Sequence, residues 1–570
     1  MEKYDGSYVS TSKKISSADE EKAGELIKEW QYLFGLRGNW NNQWTEIAQR
    51  ILPMDSWLFQ NYSQLSSQGD KRTFEVYDST GILALRQFGA ILDSLLTPRD
   101  AIWHTLKASD PILHKDKACR LWFEQVNNIL FERRYASTSN FAAQNQNQYM
   151  SLGAYGTGIL FIDGLSGSPG LRYKGVQLGE CYLQENHQNM IDSNCRHFML
   201  TARQAYQKFG DSCPEQILSS MNRFPENPFY FLHWVKPNLE KDPKRLDHKG
   251  MEFESVYISI AGSQIVYEPS KPEGSGYRSF PYAISRYYQA ANEAYGRSIA
   301  MDILPTLKTL NEQKKTMLKQ GHRVVDPVLL AHDDGIIDGF SLEPGSVNAG
   351  GITADGRMLI QPLPVGNVQA GKELMDDERK LINDSFLINL FQILTENPQQ
   401  TATEVLERTR EKGILLAPTI GRQNSEYLSP TIHRELDILS SQGQLPPMPR
   451  LLKSAKGEYK IDFDSPITRT QKAESSAGAA RTFESLANVA QTTGDPSILD
   501  IIDMDAAGRA MAENNAVPFS WMNSPKKVAQ MKQQRMQMQQ QQQAVAAAPA
   551  AAGLMKAHAQ MQKTPGGTGQ

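Results

Sequence analysis

From Asp19 onward, apolar residues recur three and four positions apart: Leu26, Ile27, Trp30, Leu33 and Phe34, then Trp40, Trp44, Ile47, Ala48 and Ile51, until Pro53. This spacing keeps the side chains on one face of a 3.6-residue turn and predicts helix ended by the proline. The residues before Asp19 are polar and Ser-rich, and are expected to be loose. The segment Arg72 to Trp103 joins three signals in a fixed order. A Tyr77-Asp78-Ser79-Thr80 helix entry leads into a long apolar-periodic helix. The helix stops at Leu96-Thr97-Pro98 and delivers Trp103 to an extended segment. Leu95 and Trp103 are expected to be buried packing residues.

From Gly156 to about Tyr282 the period changes. Gly158-Ile-Leu-Phe-Ile162, Glu254-Ser-Val-Tyr-Ile-Ser-Ile260 and Gln264-Ile-Val-Tyr267 are short β-branched runs separated by Gly, Pro and Asn turns. They predict a mainly β insertion in a helical frame.

Helix returns from Asn292 to Gln320, with Pro305 near its start and Leu307, Leu310, Asn311, Met317 and Leu318 on one side. Gly321 is expected to end it. Residues 322–366 read as short strands with turns at Asp333-Asp334-Gly335 and Ala354-Asp355-Gly356. A second helix is expected from Val368 to Leu394, with Leu374, Leu381 and Ile388 in heptad register and Leu387, Leu390, Phe391 and Leu394 widening the stripe. Two helices flanking a small module can lie side by side and hold the module at their far end.

Thr401-Ala-Thr-Glu404 has the form of a capping box. Gly413, Pro418 and Gly421 should then kink the helix before it resumes at Tyr427 to Leu439. Residues 467–523 read as helical. Ser524-Pro525 opens a Gln-rich helix along which Val528, Met531, Arg535, Met538 and Val545 trace a thin apolar line. That helix belongs either in a self-associated bundle or in a partly disordered tail, with disorder after Pro549. The fold class expected is α+β, mainly helical.

Composition narrows the function classes. A chain of 570 residues exceeds one compact core and should divide. Its 60 basic and 63 acidic residues give a net charge of -3, so no global field draws it to nucleic acid or an anionic membrane. The four cysteines, Cys119, Cys181, Cys195 and Cys213, lack CxxC spacing and read as reduced thiols. No run approaches the roughly 18 apolar residues needed to span a bilayer, so no membrane insertion is expected.

Catalytic motifs fail one by one. Gly153-Ala-Tyr-Gly156-Thr-Gly158 follows helix and precedes strand, the reverse of a dinucleotide-binding turn, and reads as a turn. Cys181, His187, Cys195 and His197 are irregularly spaced for a metal and read as buried thiols and surface imidazoles. Neither Gly164-Leu-Ser166-Gly167 nor Gly274-Ser275-Gly276 matches GxSxG. Asp376-Asp377-Glu378 and Asp333-Asp334 are solvated acids. No enzyme and no cofactor is expected.

Taken together, the chain resembles the portal, or head-to-tail connector, proteins of short-tailed bacteriophages. The resemblance rests on Tyr77-Asp78-Ser79-Thr80 with Leu95-Leu96-Thr97-Pro98 and Trp103, preceded by Trp40, Trp44, Ile47 and Pro53. It continues in Tyr295-Gly296-Arg297-Ser298, Leu304-Pro305, Leu310-Asn311 and Asp326-Pro327. Near the end it takes in Asp500-Ile-Ile-Asp503, Ala516-Val517-Pro518 and the helix around Arg535.

The resemblance implies a ring of identical subunits, typically a dodecamer, at one capsid vertex of the virion, assembled in the host cytoplasm. Its axial channel would pass double-stranded DNA during packaging and ejection. Its partners would be the terminase large subunit, tail adaptor proteins, and the major capsid and scaffolding proteins. On this sequence it implies a wing over 1–290, stem helices at 291–320 and 368–394, and a clip at 321–367. A tunnel loop would follow at 395–402, then a wing helix and return at 403–466, a crown at 467–523, and a barrel helix with a disordered tail at 524–570.

Lys308, Lys315 and Lys319 share one face of the first stem helix and are candidate channel-facing residues. Thr395, Glu396, Asn397, Gln399 and Gln400 are candidates for the tunnel loop. Asp333, Asp334, Asp355 and Arg357 are candidates for the clip's docking surface. Another virion structural protein, such as a tail adaptor or internal ejection protein, is the alternative.

Overall fold

The computed structural model describes residues 17–55, 71–388 and 417–541, apart from 74, 166, 246, 272–273, 332–340, 349–350, 354, 365–367, 456, 465, 494–500, 515–516, 518–520 and 524–526. The expected capping box at Thr401, the break at Gly413, the end of the second helix beyond Ile388 and the tail after Pro549 lie outside these residues. The chain is mixed helix and sheet, with helix the larger share. It forms two compact units. One holds 17–103, 128–445 and 463–467; the other holds 104–127, 446–462 and the chain from 468 onward.

The apolar periodicity at the start makes two helices, α1 (Ser17–Leu36) and α2 (Gly38–Ile51). Arg37 sits at their break, fully buried, and donates to the carbonyls of Gly179 (2.7 Å) and Cys181 (2.6 Å) while its guanidinium lies 3.8 Å over the Tyr182 ring. α3 (Thr80–Leu96) follows, its first N–H met by Asp78, whose Oδ1 accepts from the Thr80 amide at 2.9 Å. Gly81 lets three helices meet, since a Cβ there would stand 2.8 Å from both Ile51 and Leu307. Leu96 rather than Leu95 is the buried leucine at its end, because α3 presents Leu85, Phe88, Leu92 and Leu96 inward and leaves Leu95 only half-covered.

In the second unit, β1 (His104–Ala108) and α4 (Pro111–Lys115) precede α5 (Lys117–Arg134), whose last residues return to the first unit. α6 (Phe141–Tyr155) then leads to β2 (Thr157–Gly164) through Gly156, which ends the helix in the left-handed region at φ 77°. The glycine-rich run thus makes the expected turn, and it does more. A Cβ on Gly156 would fall 2.3 Å from the Gly296 carbonyl, so two backbones meet there, and Ser298 Oγ donates to the Ala154 carbonyl at 2.8 Å.

The β insertion is present. β3 (Leu171–Val176) pairs with β2. β4 (Cys181–Glu185) and β5 (Ile191–Thr201) begin a larger sheet. Two helices absent from the sequence expectation interrupt it, α7 (Ala202–Phe209) and α8 (Glu215–Arg223). The signal for α7 was legible: Thr201 and Gln204 form a capping box, each side chain meeting the other's backbone. β6 (Pro228–Pro237), β7 (Phe253–Ser259) and β8 (Gln264–Val266) complete the order β4-β5-β6-β7-β8, with β9 (Ser275–Tyr277) on β7. β10 (Tyr282–Arg286) joins β2 and β3 in an antiparallel trio that packs on α6.

Alternation along β6 divides the large sheet's faces. Leu232 and Trp234 face α1, in a cluster with Ala23, Leu26 and Ile258; Phe231 faces α7 and α8, with Phe209 and Ile217. Burying a leucine such as Leu26 contributes about 1.5 to 3 kcal/mol.

The returning helix begins later and ends later than its pattern predicts. α9 (Ile299–Asp302) is capped by Ser298, and α10 (Leu304–Val325) runs past Gly321, which has open space around it and costs only helix propensity. β11 (Leu329–Ala331) and β12 (Ile360–Pro362) pair antiparallel. α11 (Val368–Ser385) is interrupted at Phe386 and Leu387, and the expected continuation to Leu394 lies outside the described residues. Leu387 turns left-handed at φ 63°, which allows Phe386 and Ile388 both to be buried.

Helix runs from 417 through Gly421 without the break expected at that glycine, and Pro418 stands in the first described turn, so the break expected there falls on residues outside those described. The irregularity is instead a π-helical stretch, Gln423–Leu428, running into α12 (Ser429–Ser441). Pro430 supplies the reason, since its ring and missing N–H cannot fit a regular α-turn.

In the second unit, α13 (Arg450–Ser454) leads to β13 (Tyr459–Phe463), which pairs with β1 and whose Phe463 closes back into the first unit. α14 (Pro466–Thr493) and α15 (Met504–Asn514) follow. Residues 527–541 are helical and almost wholly exposed.

Candidate channel and docking surfaces

α10 and α11 pack against each other with the β11–β12 pair between them in sequence. Their close approach depends on Gly371, where a Cβ would stand 2.5 Å from Met317 Sδ. Beside that contact runs an open groove of about 580 Å³ lined by Thr309, Gln313, Thr316, Met317 and Leu374.

The base of this pair is clasped to the α3 entry. Asn311 of α10 accepts from the Tyr77 amide at 2.8 Å and donates to the Glu75 carbonyl at 2.9 Å. Arg379 of α11 reaches Asp78 at 2.7 Å and Asp376 at 2.8 Å. Burial would raise the Asp78 pKa, but the bonds from Thr80 and Arg379 outweigh it and hold the carboxyl below its ordinary range. The Tyr-Asp-Ser-Thr motif therefore binds two distant helices to a third.

The three candidate lysines lie in different settings. Lys308 pairs with Glu46 of α2. Lys315 is 3.8 Å from Glu312 and 5.5 Å from the Tyr77 ring centroid. Lys319 is exposed, and no described carboxylate pairs with it. At the other end of the hairpin, Asp355 and Arg357 are exposed in a turn closed by Thr353, whose amide donates to the Arg357 carbonyl at 2.9 Å and whose Oγ1 accepts from the Arg357 amide at 3.1 Å. Asp333, Asp334 and the tunnel-loop candidates Thr395, Glu396, Asn397, Gln399 and Gln400 lie outside the described residues.

Buried polar residues that the sequence reading missed tie the first unit together. Arg134 and Glu435 are fully buried and form a two-pronged pair at 2.9 and 2.5 Å, with the Tyr173 hydroxyl donating to Glu435 at 2.6 Å. Burial disfavours the Arg134 charge, yet Glu435 more than offsets this and raises its pKa. The same guanidinium lies 4.4 Å over Trp103, which is buried, stacks on Phe463 and donates to Tyr135 at 3.2 Å. Close by, Asn145 donates to Asp93 and Thr97, both at 2.7 Å, and accepts from Tyr427 at 2.6 Å. Nothing in this network is open to a substrate.

The four residues of the suspected metal set lie in different settings. The Cys181 and Cys195 thiols are buried, which pushes Cys181 up to about 12 and Cys195 well above its ordinary value, and His187 is exposed as expected. His197 is not a surface imidazole: it is buried between Trp30 and Tyr230, and burial lowers its pKa to about 4. Among the described residues, no three His, Cys, Asp or Glu side chains are placed to hold a metal ion. No described helix is long and apolar enough to cross a membrane.

The described residues thus hold a closed polar core, a helical hairpin left partly bare and a β turn presenting charge. The chain belongs to the family of bacteriophage head to tail connecting proteins, whose model matches residues 23–522. It is 27% identical over 525 residues to a probable portal protein of Bordetella phage BPP-1, covering 91% of this chain and 92% of that protein. It is 26% identical over 530 residues to the portal protein of Salmonella phage epsilon15, with the same coverage.

Proposed function

We propose that copies of this chain form a ring, typically of twelve, at one vertex of a phage capsid, and that double-stranded DNA passes through its axial opening during packaging and ejection. The observation that carries this reading is the family match across 23–522, which spans the α10–β11–β12–α11 hairpin and every described sheet. The hairpin would be the stem and its β tip the clip. The tip's exposed Asp355 and Arg357, with Asp333 and Asp334, would receive the terminase large subunit and tail adaptors. Residues 395–402 would form the tunnel loop, 467–523 the crown and 524–548 the barrel. The remaining regions would form the wing, which meets the capsid and scaffolding proteins.

A net charge of -3 suits a conduit that must not grip its cargo, because tight phosphate neutralisation would hold DNA in place. Lys319, exposed at the end of the lysine row, is the best candidate of the three to meet phosphate, since Lys308 and Lys315 already have carboxylates nearby.

Class averages of the purified protein test the reading. A closed ring with one narrow central opening is expected. A different stoichiometry, or no ring, would instead place the chain with adaptors or internal virion proteins.

A further inference from the structure

The outer faces of α10 and α11 carry opposite charge and matching apolar rows, and nothing described in the chain covers either. On α10, Lys314, Leu318, Gly321 and Val325 fall at spacings of four, three and four, so they form one stripe along the distal half of the helix. Leu318 is 44% exposed and Val325 87%, and Gly321 has open space over it. A glycine in the interior of an exposed helix weakens it relative to alanine. It is therefore informative that this one stands between two bare apolar side chains, where it would permit another helix to come close.

On α11, Leu374 and Leu381 are 59% and 50% exposed, and Asp377 and Glu378 lie between them. Met375 and Ile382, one residue further on, are the pair turned into the chain's own core. Across the whole of each helix the sign of charge differs. α10 carries Lys308, Lys314, Lys315, Lys319 and Arg323 against Glu312 alone. α11 carries Glu373, Asp376, Asp377, Glu378 and Asp384 against Lys372, Arg379 and Lys380. Among the described residues no ion pair engages Lys314, Asp377 or Glu378.

We infer that the Lys314–Leu318–Gly321–Val325 stripe of one copy packs on the Leu374–Asp377–Glu378–Leu381 face of the next. The contact is head-to-tail: a basic patch on each subunit meets an acidic patch on its neighbour, so every copy offers one of each and the series can close on itself. The occupant is a second copy because the complementary surface stands on the same chain, with an exposed apolar pair seven residues apart on each helix, Leu318 and Val325 on α10 and Leu374 and Leu381 on α11. The apolar rows supply attraction and the charges supply register and the choice between the two faces. This inference rests on the ring proposed above.

The test uses the full chain, with ring content measured by native mass spectrometry and folding by circular dichroism and melting midpoint. Lys314→Glu and, separately, Glu378→Lys should each lose rings at low salt with an unchanged melt. Combining both substitutions in one chain should restore rings, and so should mixing the two single variants in equal amounts, since each then supplies the face the other lacks. Leu318→Asp should lose rings irreparably; should it also unfold, the charge exchange decides alone. Wild-type rings that persist in every variant would overturn this interface while leaving the ring intact. Loss of rings in both single variants without rescue by exchange or mixing would overturn the pairing. Absence of rings in the wild type would instead overturn the function proposed above.

Discussion

The neighbourhood of Trp103 and the α10–α11 hairpin treat their charged and apolar groups in opposite ways. Around Trp103, Arg134, Glu435, Tyr173, Asn145 and Tyr427 are buried and answer one another within the chain. Along the hairpin, Leu318, Val325, Leu374 and Leu381 stand open beside charges that have no described partner. The first region holds one subunit's shape; the second is left unfinished by a single subunit. Folding strength and assembly should therefore respond to different residues.

The largest effect expected is in the closed region. Glu435→Ala strands a fully buried guanidinium and should cost roughly 3 to 5 kcal/mol in denaturant unfolding. Trp103→Ala should cost roughly 3 to 5 kcal/mol as well, through the lost stack on Phe463 and the cavity left behind. Leu96→Ala should cost about 2 to 5 kcal/mol and Leu95→Ala clearly less, a contrast that tests which leucine of the pair faces inward.

Between the regions sits the clasp. Asp78→Asn weakens the bonds from Arg379 and should lower stability by about 1 to 3 kcal/mol, measured by urea unfolding.

Acid should act on the large sheet through histidine. His233 is buried between Tyr282 and Ser255, and His197 between two aromatic rings; burial depresses both, His197 to about 4. A depressed folded-state pKa means stability is full above the ordinary value of 6.5 and is lost as pH falls from there toward the folded value. Asp55, raised to about 6 by burial, works the other way, since its folded form holds a proton that the unfolded chain gives up. The melting midpoint should fall between pH 6.5 and about 4, and His233→Gln should flatten that fall; an equal slope in the variant would remove His233 from the account.

Smallest of all, Leu374→Ser with Leu381→Ser should change subunit stability by no more than about 0.5 kcal/mol, because neither side chain is buried. A large loss there would erase the contrast between the two regions.

Much of this could be read from sequence where one pattern had one solution. The α3 entry and stop, the β insertion and the helix–β–helix order follow from periodicity and from residues such as Asp78 and Pro305. Patterns with two solutions misled. A seven-residue repeat fits Leu374 and Leu381 as well as Met375 and Ile382, and which pair turns inward depends on the packing of α11 against α3 and α10, distant in sequence or separated by the β module. Gly321 carries a breaker propensity that the surrounding helix overrides, whereas Pro430, unremarked, sets the irregularity. The Arg134–Glu435 pair is separated by 301 residues, and no local signal announces it.

The π-stretch Gln423–Leu428 works as a phase shifter. Each α-helical residue advances the chain by about 100°, so one extra residue in a turn rotates everything after it by that angle relative to everything before. Gln423 keeps its bond to the Arg286 carbonyl and Tyr427 its bond to Asn145 upstream, while Arg434 and Glu435 still point at Ile162 and Arg134 downstream. Deleting a single residue within 423–428 would bring the two sets out of step, so this short stretch should tolerate substitution far better than any change in its length.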